Sequence, residues 1–285
     1  MAPTPDAGTL TVVYGLLSAI SWGAADFGGG MAARRGPVFG VVLVAQLVGM
    51  ALAAVFFVIR GEALPGLTDV GWAIAAGIAG SIGLTSLYHG LATGRIATVA
   101  PLTGILAASI PVLTGWLLQG TPAAVQVIGI FLAVVAVVLV STSVDPQGDR
   151  PSGLRFGLLA GAGFGLFNVF ASRFTDGSVF GPLVVVRLVE AAAVALVIVA
   201  ARRPWRLRRP VVGLAMAVGV GDMAGNAFFI LAAQTGRLDI AAVLSSLYPV
   251  TTIILATVVL HERVTRSHAV GIVLAAVAIV LIAAG

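Results

Sequence analysis

Residues Ala123–Val144 read AAVQVIGIFLAVVAVVLVSTSV, and the eight that follow, Asp145–Ser152, read DPQGDRPS. An apolar run of about 20 residues crosses a bilayer core of roughly 30 Å when it is helical, because only a helix satisfies its own backbone polar groups in hydrocarbon. The second stretch, polar and broken by proline and glycine, lies at the middle of the 285-residue chain. A spanning helix followed by a central linker therefore predicts two membrane-embedded halves.

Working outward, nine more apolar runs emerge. Before the linker they cover Leu10 to Ala33, Val38 to Ile59, Val70 to Ala92 and Ile96 to Leu118. After it they cover Gly153 to Ala171, Val179 to Ala201, Val211 to Gln234, Ile240 to Leu260 and Ala269 to Ala284. The expected fold class is an all-α integral membrane protein of ten transmembrane helices, five in residues 10–144 and five in 153–285. Composition excludes a soluble globule: 59% of residues are apolar, only 9% are charged, and mean hydropathy is +1.10. The basic residues are all arginine and scattered over short loops, which reads as membrane orientation and excludes a nucleic-acid surface. No cysteine is present, so disulfides, thiolate metal sites and thiol nucleophiles are excluded. Met1 to Thr9 carries Asp6 and no basic residue, unlike a cleaved signal peptide, so Leu10 onward reads as a retained first span.

A constant shift of 142 residues superposes Tyr14-Gly15-Leu16-Leu17 on Phe156-Gly157-Leu158-Leu159 and Trp22-Gly23 on Phe164-Gly165. It also pairs Gly83 with Gly225, Thr93-Gly94-Arg95 with Thr235-Gly236-Arg237, and Gly129-Ile130 with Gly271-Ile272, slipping by one residue near the second helix. Five helices is an odd number, so a duplicated unit must enter the membrane from the opposite side the second time. The predicted architecture is an inverted repeat, which secondary carriers use to build one midplane site that opens to either side in turn.

Arginines sort unevenly between the two sides. Arg60, Arg173 and Arg237 share the side of the termini, while Arg34, Arg35, Arg95, Arg150, Arg155, Arg202, Arg203, Arg206, Arg208, Arg209, Arg263 and Arg266 lie opposite. The positive-inside rule then predicts outward-facing termini.

A charge near the bilayer centre costs on the order of 3 kcal/mol by insertion scales, so each one asks for a reason. Asp26 precedes Phe27 and Gly28-Gly29-Gly30, a stretch expected to weaken the first helix, and lies near enough to the helix end to snorkel. Arg187 and Glu190 stand at i and i+3, close enough to neutralise each other. Asp222 has only Asn226, at i+4, as a partner in its own helix. An isolated carboxylate there can carry substrate contacts or a proton across the membrane. Under the repeat, Asp26 corresponds to Asn168, Asp222 to Gly80 and Arg187 to Gln46, so the charge sits unequally in the two halves.

Trp22 and Phe164, with Tyr88, His89, Phe228, Phe229 and Tyr248, complete an expected pocket, although each aromatic taken singly reads as an interfacial anchor and His89 as an exposed, uninvolved imidazole. Pro101, Pro111 and Pro249 should kink their helices. Glycines at fourfold spacing, Gly157, Gly161 and Gly165 or Gly221 and Gly225, should allow tight helix contacts.

Val243-Leu244-Ser245-Ser246-Leu247-Tyr248-Pro249-Val250, followed by His261-Glu262-Arg263 and Gly271, resembles the closing pattern of EamA-type members of the drug/metabolite transporter superfamily, and Ser21-Trp22-Gly23 resembles their Trp-Gly signature. Arg187 sits where that family often has arginine. The first repeat departs from the pattern, with Gly120 in place of the glutamate and Gln46 in place of the arginine. The resemblance implies ion-driven transport of small organic molecules such as amino acids or drug-like compounds, with cytoplasmic termini, opposite to the arginine count. The leading reading is a secondary carrier in the cell membrane, a bacterial inner or plasma membrane, with protons as the candidate coupling ion. Asp222, Asn226, Glu190, Arg187, Asp26, Trp22, Gln46, Asn168, Phe164, Tyr88 and Tyr248 are its candidate binding or coupling residues. No cofactor, resident metal or nucleic-acid partner is expected. No Gly-x-x-x-x-Gly-Lys and no lysine occur, so ATP is not the direct fuel. The competing readings are an intramembrane enzyme or lipid-handling protein, disfavoured by three histidines and no HExxH or GxSxG, and a non-transporting scaffold, disfavoured by short loops.

Overall fold

The computed structural model describes residues 6–93, 96–141, 153–261 and 265–284, without the side chains of Tyr88, 91–93, 96–98, 100–101 and 140–141. The Asp145–Ser152 linker, Gly94-Arg95, Glu262-Arg263 and the side chains of Tyr88 and Pro101 thus lie outside the described residues. The described regular structure is entirely helical. It comprises α1 (Ala7–Ala33), α2 (Val38–Arg60), α3 (Leu67–Thr93), α4 (Ile96–Gln119) and α5 (Ala124–Ser141), then α6 (Leu154–Ala171), α7 (Phe180–Ala200), α8 (Arg209–Thr235), α9 (Leu238–Ser245), α10 (Tyr248–Leu260) and α11 (Arg266–Ala283). Among the described residues nine stretches are long and apolar enough to cross a bilayer, α9 and α10 counting as one, and α5 is a shorter apolar helix.

Local chemistry sets the ends. Asp6 caps α1 by accepting from the Thr9 N–H at 2.7 Å, and the Thr265 side chain accepts from the His268 N–H at 3.2 Å to cap α11. Gly61 ends α2 in the left-handed conformation, φ 61°, which costs a glycine nothing. A proline stands in the first turn of α8 and of α10, where a helix needs no N–H.

One expectation is corrected. The ninth span is two helices, interrupted at Ser246-Leu247, because Pro249 can donate no hydrogen bond back into the preceding turn. Leu247 N–H instead reaches Leu244 O at 3.2 Å and Val250 N–H reaches Leu247 O at 2.9 Å, tightening the chain locally. Helix α4, by contrast, continues through Pro111, and α1 continues through Gly28–Gly30, where Gly28 packs on Val218 of α8.

The repeat is legible in the packing, pair by pair. Gly15 of α1 lies against Ala241 and Leu244 of α9, and Gly157 of α6 lies against Val99 and Leu102 of α4, the same contacts shifted by 142. Gly225 of α8 meets Trp22, as Gly83 of α3 meets Phe164. Gly219 of α8 meets Ala45 and Val48 of α2, as Gly77 of α3 meets Val186 and Val189 of α7, which reproduces the one-residue slip.

Equivalent helices also touch each other, and they run in opposite senses. Along the α2–α7 contact Phe56 stacks on Phe180 near one end, Gln46 meets Arg187 in the middle, and Val42 joins Val194 and Ile198 at the other end. Along α5–α11, Gln126 reaches Ile282 and Leu139 accepts from Ser267. Numbers that rise on one helix while falling on its counterpart define an antiparallel pair, so the two five-span units are inverted about a pseudo-twofold axis. The glycines serve this packing: a side chain at Gly163 would collide with backbone atoms of Ala79 and Gly83, so α3 and α6 approach main chain to main chain.

One end of the bundle is tied by polar bonds. Glu62, between α2 and α3, accepts the N–H groups of Val179, Phe180 and Gly181 at 3.2, 2.8 and 3.0 Å and so caps α7. Asp69 accepts from both the N–H and the hydroxyl of Thr175, and Gln234 donates to Thr175 O and Ser178 O. Asp239 is fully buried and bonded to Arg237, whose guanidinium also reaches the carbonyls of Gln119 and Gly120.

Candidate functional site

The pseudo-twofold axis passes through a buried ionic cluster. Gln46 and Arg187 occupy equivalent positions on α2 and α7, and because those helices cross on the axis their side chains meet: Arg187 Nη1 donates to Gln46 Oε1 at 2.6 Å. The same nitrogen lies 3.0 Å from Glu190 Oε2 and 2.7 Å from Asp222 Oδ2 of α8. Glycines make room for the group. Gly49 backs onto Arg187 Nε and Gly80 onto Glu190 Oε1, and these are the counterparts of Glu190 and Asp222 in the other repeat. Where one half carries a carboxylate, the other carries a glycine against which a member of the cluster packs, Gly49 against Arg187 and Gly80 against Glu190.

Asp222 is therefore not isolated in its own helix with Asn226, as its spacing suggests. Its partner is Arg187 of a different helix, while the Asn226 amide donates to the Asp222 main-chain carbonyl at 3.0 Å. The Arg187–Glu190 contact expected from i, i+3 spacing is present, but it is one arm of a four-residue cluster. Accessibility grades across it: the side chains of Arg187, Glu190 and Asp222 are 2%, 10% and 33% exposed.

Asp26 lies to one side of this cluster, with its side chain exposed at the protein surface, one helical turn beyond Trp22 on the same face of α1. It is near enough to Asp222 for the two carboxyl groups to interact, and it lies near the Tyr248 phenol. The Trp22 ring is stacked 5.9 Å from Phe229 of α8 and stands edge-on 6.4 Å from Tyr248 of α10. The reading of Trp22 and Tyr248 as interfacial anchors is thus corrected, since both face inward between helices. His89, expected to be uninvolved, packs 4.5 Å from the Phe156 ring.

Not every candidate joins the cluster. Phe164 packs on Gly83 and Asn168 is buried in α6, both on the opposite side of the axis from Trp22 and Asp26. Phe228 stacks on Tyr14 at 6.3 Å. A separate concavity of about 410 Å³ lies among the tied loops, lined by Glu62, Asp69, Thr175 and Ser178. Sequence reasoning missed Glu62, Asp69 and Gly49. The signal for Gly49 was available, because the one-residue slip that pairs Gln46 with Arg187 also pairs Gly49 with Glu190.

A polytopic helical protein built from two oppositely inserted five-span units, with an arginine and carboxylates enclosed where the units meet, belongs architecturally with inverted-repeat membrane carriers. The comparisons agree: the EamA-like transporter family model matches residues 9–142 and again 151–284, and the chain belongs to that family. The two matches begin 142 residues apart, the shift found in the sequence and in the packing. An uncharacterized protein of Methanocaldococcus jannaschii (strain ATCC 43067 / DSM 2661 / JAL-1 / JCM 10045 / NBRC 100440) is similar at 28% identity over 135 residues, 46% of this chain but 96% of that one. A solved crystal structure superposes with a TM-score of 0.76 over 95% of each chain at 17% identity, a likeness of fold.

Proposed function

We propose that the chain is a secondary active carrier that exports a small organic metabolite, such as an amino acid or a drug-like compound, by alternating access with protons as the coupling ion. The observation that carries this reading is the ionic cluster at the inverted-repeat axis. Charges so costly to hold in a membrane mark pathways and relays, and rocking of one unit against the other about that axis exposes a central group to each side in turn. Asp222 is the coupling group. It contacts the enclosed Arg187 and is itself one-third exposed, so its occupancy can be read by both the buried pair and the solute. Trp22 and Tyr248, with the fully buried Phe229 packed behind the Trp22 ring, supply an apolar wall for the solute beside it.

The test uses purified protein in liposomes with an imposed pH gradient. Asp222→Asn keeps the side-chain volume and removes the charge. It is expected to abolish gradient-driven uptake while the protein remains folded in the membrane. Uptake against a gradient at the unmodified rate in that variant overturns the assignment.

A further inference from the structure

Every exposed charged atom in or beside the axial cluster is a carboxylate oxygen. Asp26 is exposed and Asp222 is one-third exposed, whereas Arg187 is enclosed by Gln46, Glu190, Asp222 and the backbone at Gly49. An anion would have to pass two carboxylates to reach a guanidinium with no open side. The charge tally points the same way. Glu190 and Asp222 both contact one arginine, Asp26 adds a third carboxyl group beside Asp222, and every other described arginine lies at a helix end or in a connection. The cluster is short of positive charge in a medium that penalises any surplus.

The ionic bridge itself is incomplete. A structural arginine–carboxylate lock is commonly bidentate, with two parallel N–H donors on one partner. Here Nη1 alone faces three acceptors with only two hydrogens to give, while Nε and Nη2 are buried without a partner. Asp222 is therefore held by a contested fraction of one nitrogen. Gln46 and Glu190 remain to take that nitrogen when Asp222 leaves. Beside Asp26 stand the Trp22 and Tyr248 rings, whose faces attract cations.

We propose that the transported solute is an organic cation, a protonated amine with an aromatic or amphipathic body, bound by Asp26 and Asp222 against Trp22 and Tyr248, and that Arg187 is an internal competitor that occupies Asp222 when the solute is absent. The proposal rests on the carrier reading and narrows its substrate class. Arg187 is here a positioning residue, because it acts through Asp222.

The experiment measures binding and counterflow with four compounds that share one phenyl ring and differ in charge: 2-phenylethylamine, phenylalanine, phenylacetate and 2-phenylethanol. In the unmodified protein the amine is expected to bind at least 10-fold more tightly than the other three. Arg187→Gln, which removes the competitor, is expected to bind it about 10-fold more tightly still, while Arg187→Lys restores the original affinity. Asp26→Asn is expected to weaken it at least 10-fold. The competition order in the unmodified protein needs no variant and stands alone should Arg187→Gln fail to fold. Tighter binding of phenylacetate or phenylalanine, no amine binding at millimolar concentration, or weaker amine binding in Arg187→Gln overturns the proposal. Counterflow of phenylalanine without the amine sinks the cation and leaves the carrier, whereas tight amine binding without counterflow of any compound sinks the carrier and leaves the cation site.

Discussion

At the scale of single residues, the molecule uses charge in two ways. Arg187 shares one nitrogen among three acceptors at the repeat axis, whereas Arg237 commits its guanidinium to a fully buried Asp239 and to two carbonyls of the α4–α5 connection. The second arrangement is a structural lock. Arg237→Ala leaves Asp239 uncompensated in the interior, a loss of about 3–5 kcal/mol. Asp239→Asn costs less, because Arg237 is itself 27% exposed and can turn to water. Thermal unfolding in detergent should rank the two variants in that order, and the reverse order contradicts the assignment. The ionisable members of the central site were legible as residues, since Asp26, Arg187, Glu190 and Asp222 interrupt otherwise apolar runs. Their partnership was not. Spacing within a helix reveals Glu190 beside Arg187, but Asp222 reaches Arg187 from another helix, and no local period encodes that. Trp22 was named among the candidate binding residues, but its neighbours were not legible, because an interfacial and an interior tryptophan look alike until Phe229 and Tyr248 are brought beside it.

At the scale of elements, glycine and proline decide how helices meet. The α3–α6 contact brings Gly163 against backbone atoms of Ala79 and Gly83, so Gly163→Val is an overpacking substitution expected to cost about 1–3 kcal/mol. Gly213 of α8 faces open space, and Gly213→Ala should leave the melting temperature unchanged or raise it slightly. Equal melting of the Gly163 variant and the unmodified protein would remove the close-approach argument. Helix extents followed well from hydropathy, because a bilayer fixes the length a span needs. The interruption at Ser246-Leu247 did not: proline in a transmembrane helix is compatible with continuation, as Pro111 in α4 shows, or with a break, as at Pro249. Which outcome prevails depends on neighbours, and α9 is buried along its whole length against α1, α4 and α8.

At the scale of the whole molecule, one relation organises the rest. A 142-residue shift seen in a handful of identities recurs as matched packing contacts, as two family matches, and as antiparallel contacts between α2 and α7 and between α5 and α11. Inversion could be read from the sequence because an odd number of spans permits nothing else. The consequence of inversion, that Gln46 and Arg187 touch on the axis while charge accumulates on one side of it, needed the fold. Duplication produced two similar units, and at two axial positions they differ by glycine against carboxylate, Gly49 against Glu190 and Gly80 against Asp222.

The most direct test of this account labels the two halves from outside. The chain has no cysteine, so Ala63→Cys, in the exposed α2–α3 connection, and Pro204→Cys, in the exposed α7–α8 connection, are each the single thiol of an otherwise intact protein. These sites correspond under the repeat. With a membrane-impermeant maleimide applied to sealed cells, one variant should label at once and the other only after the membrane is opened. Labelling of both from the same side would mean that the two units run in the same sense.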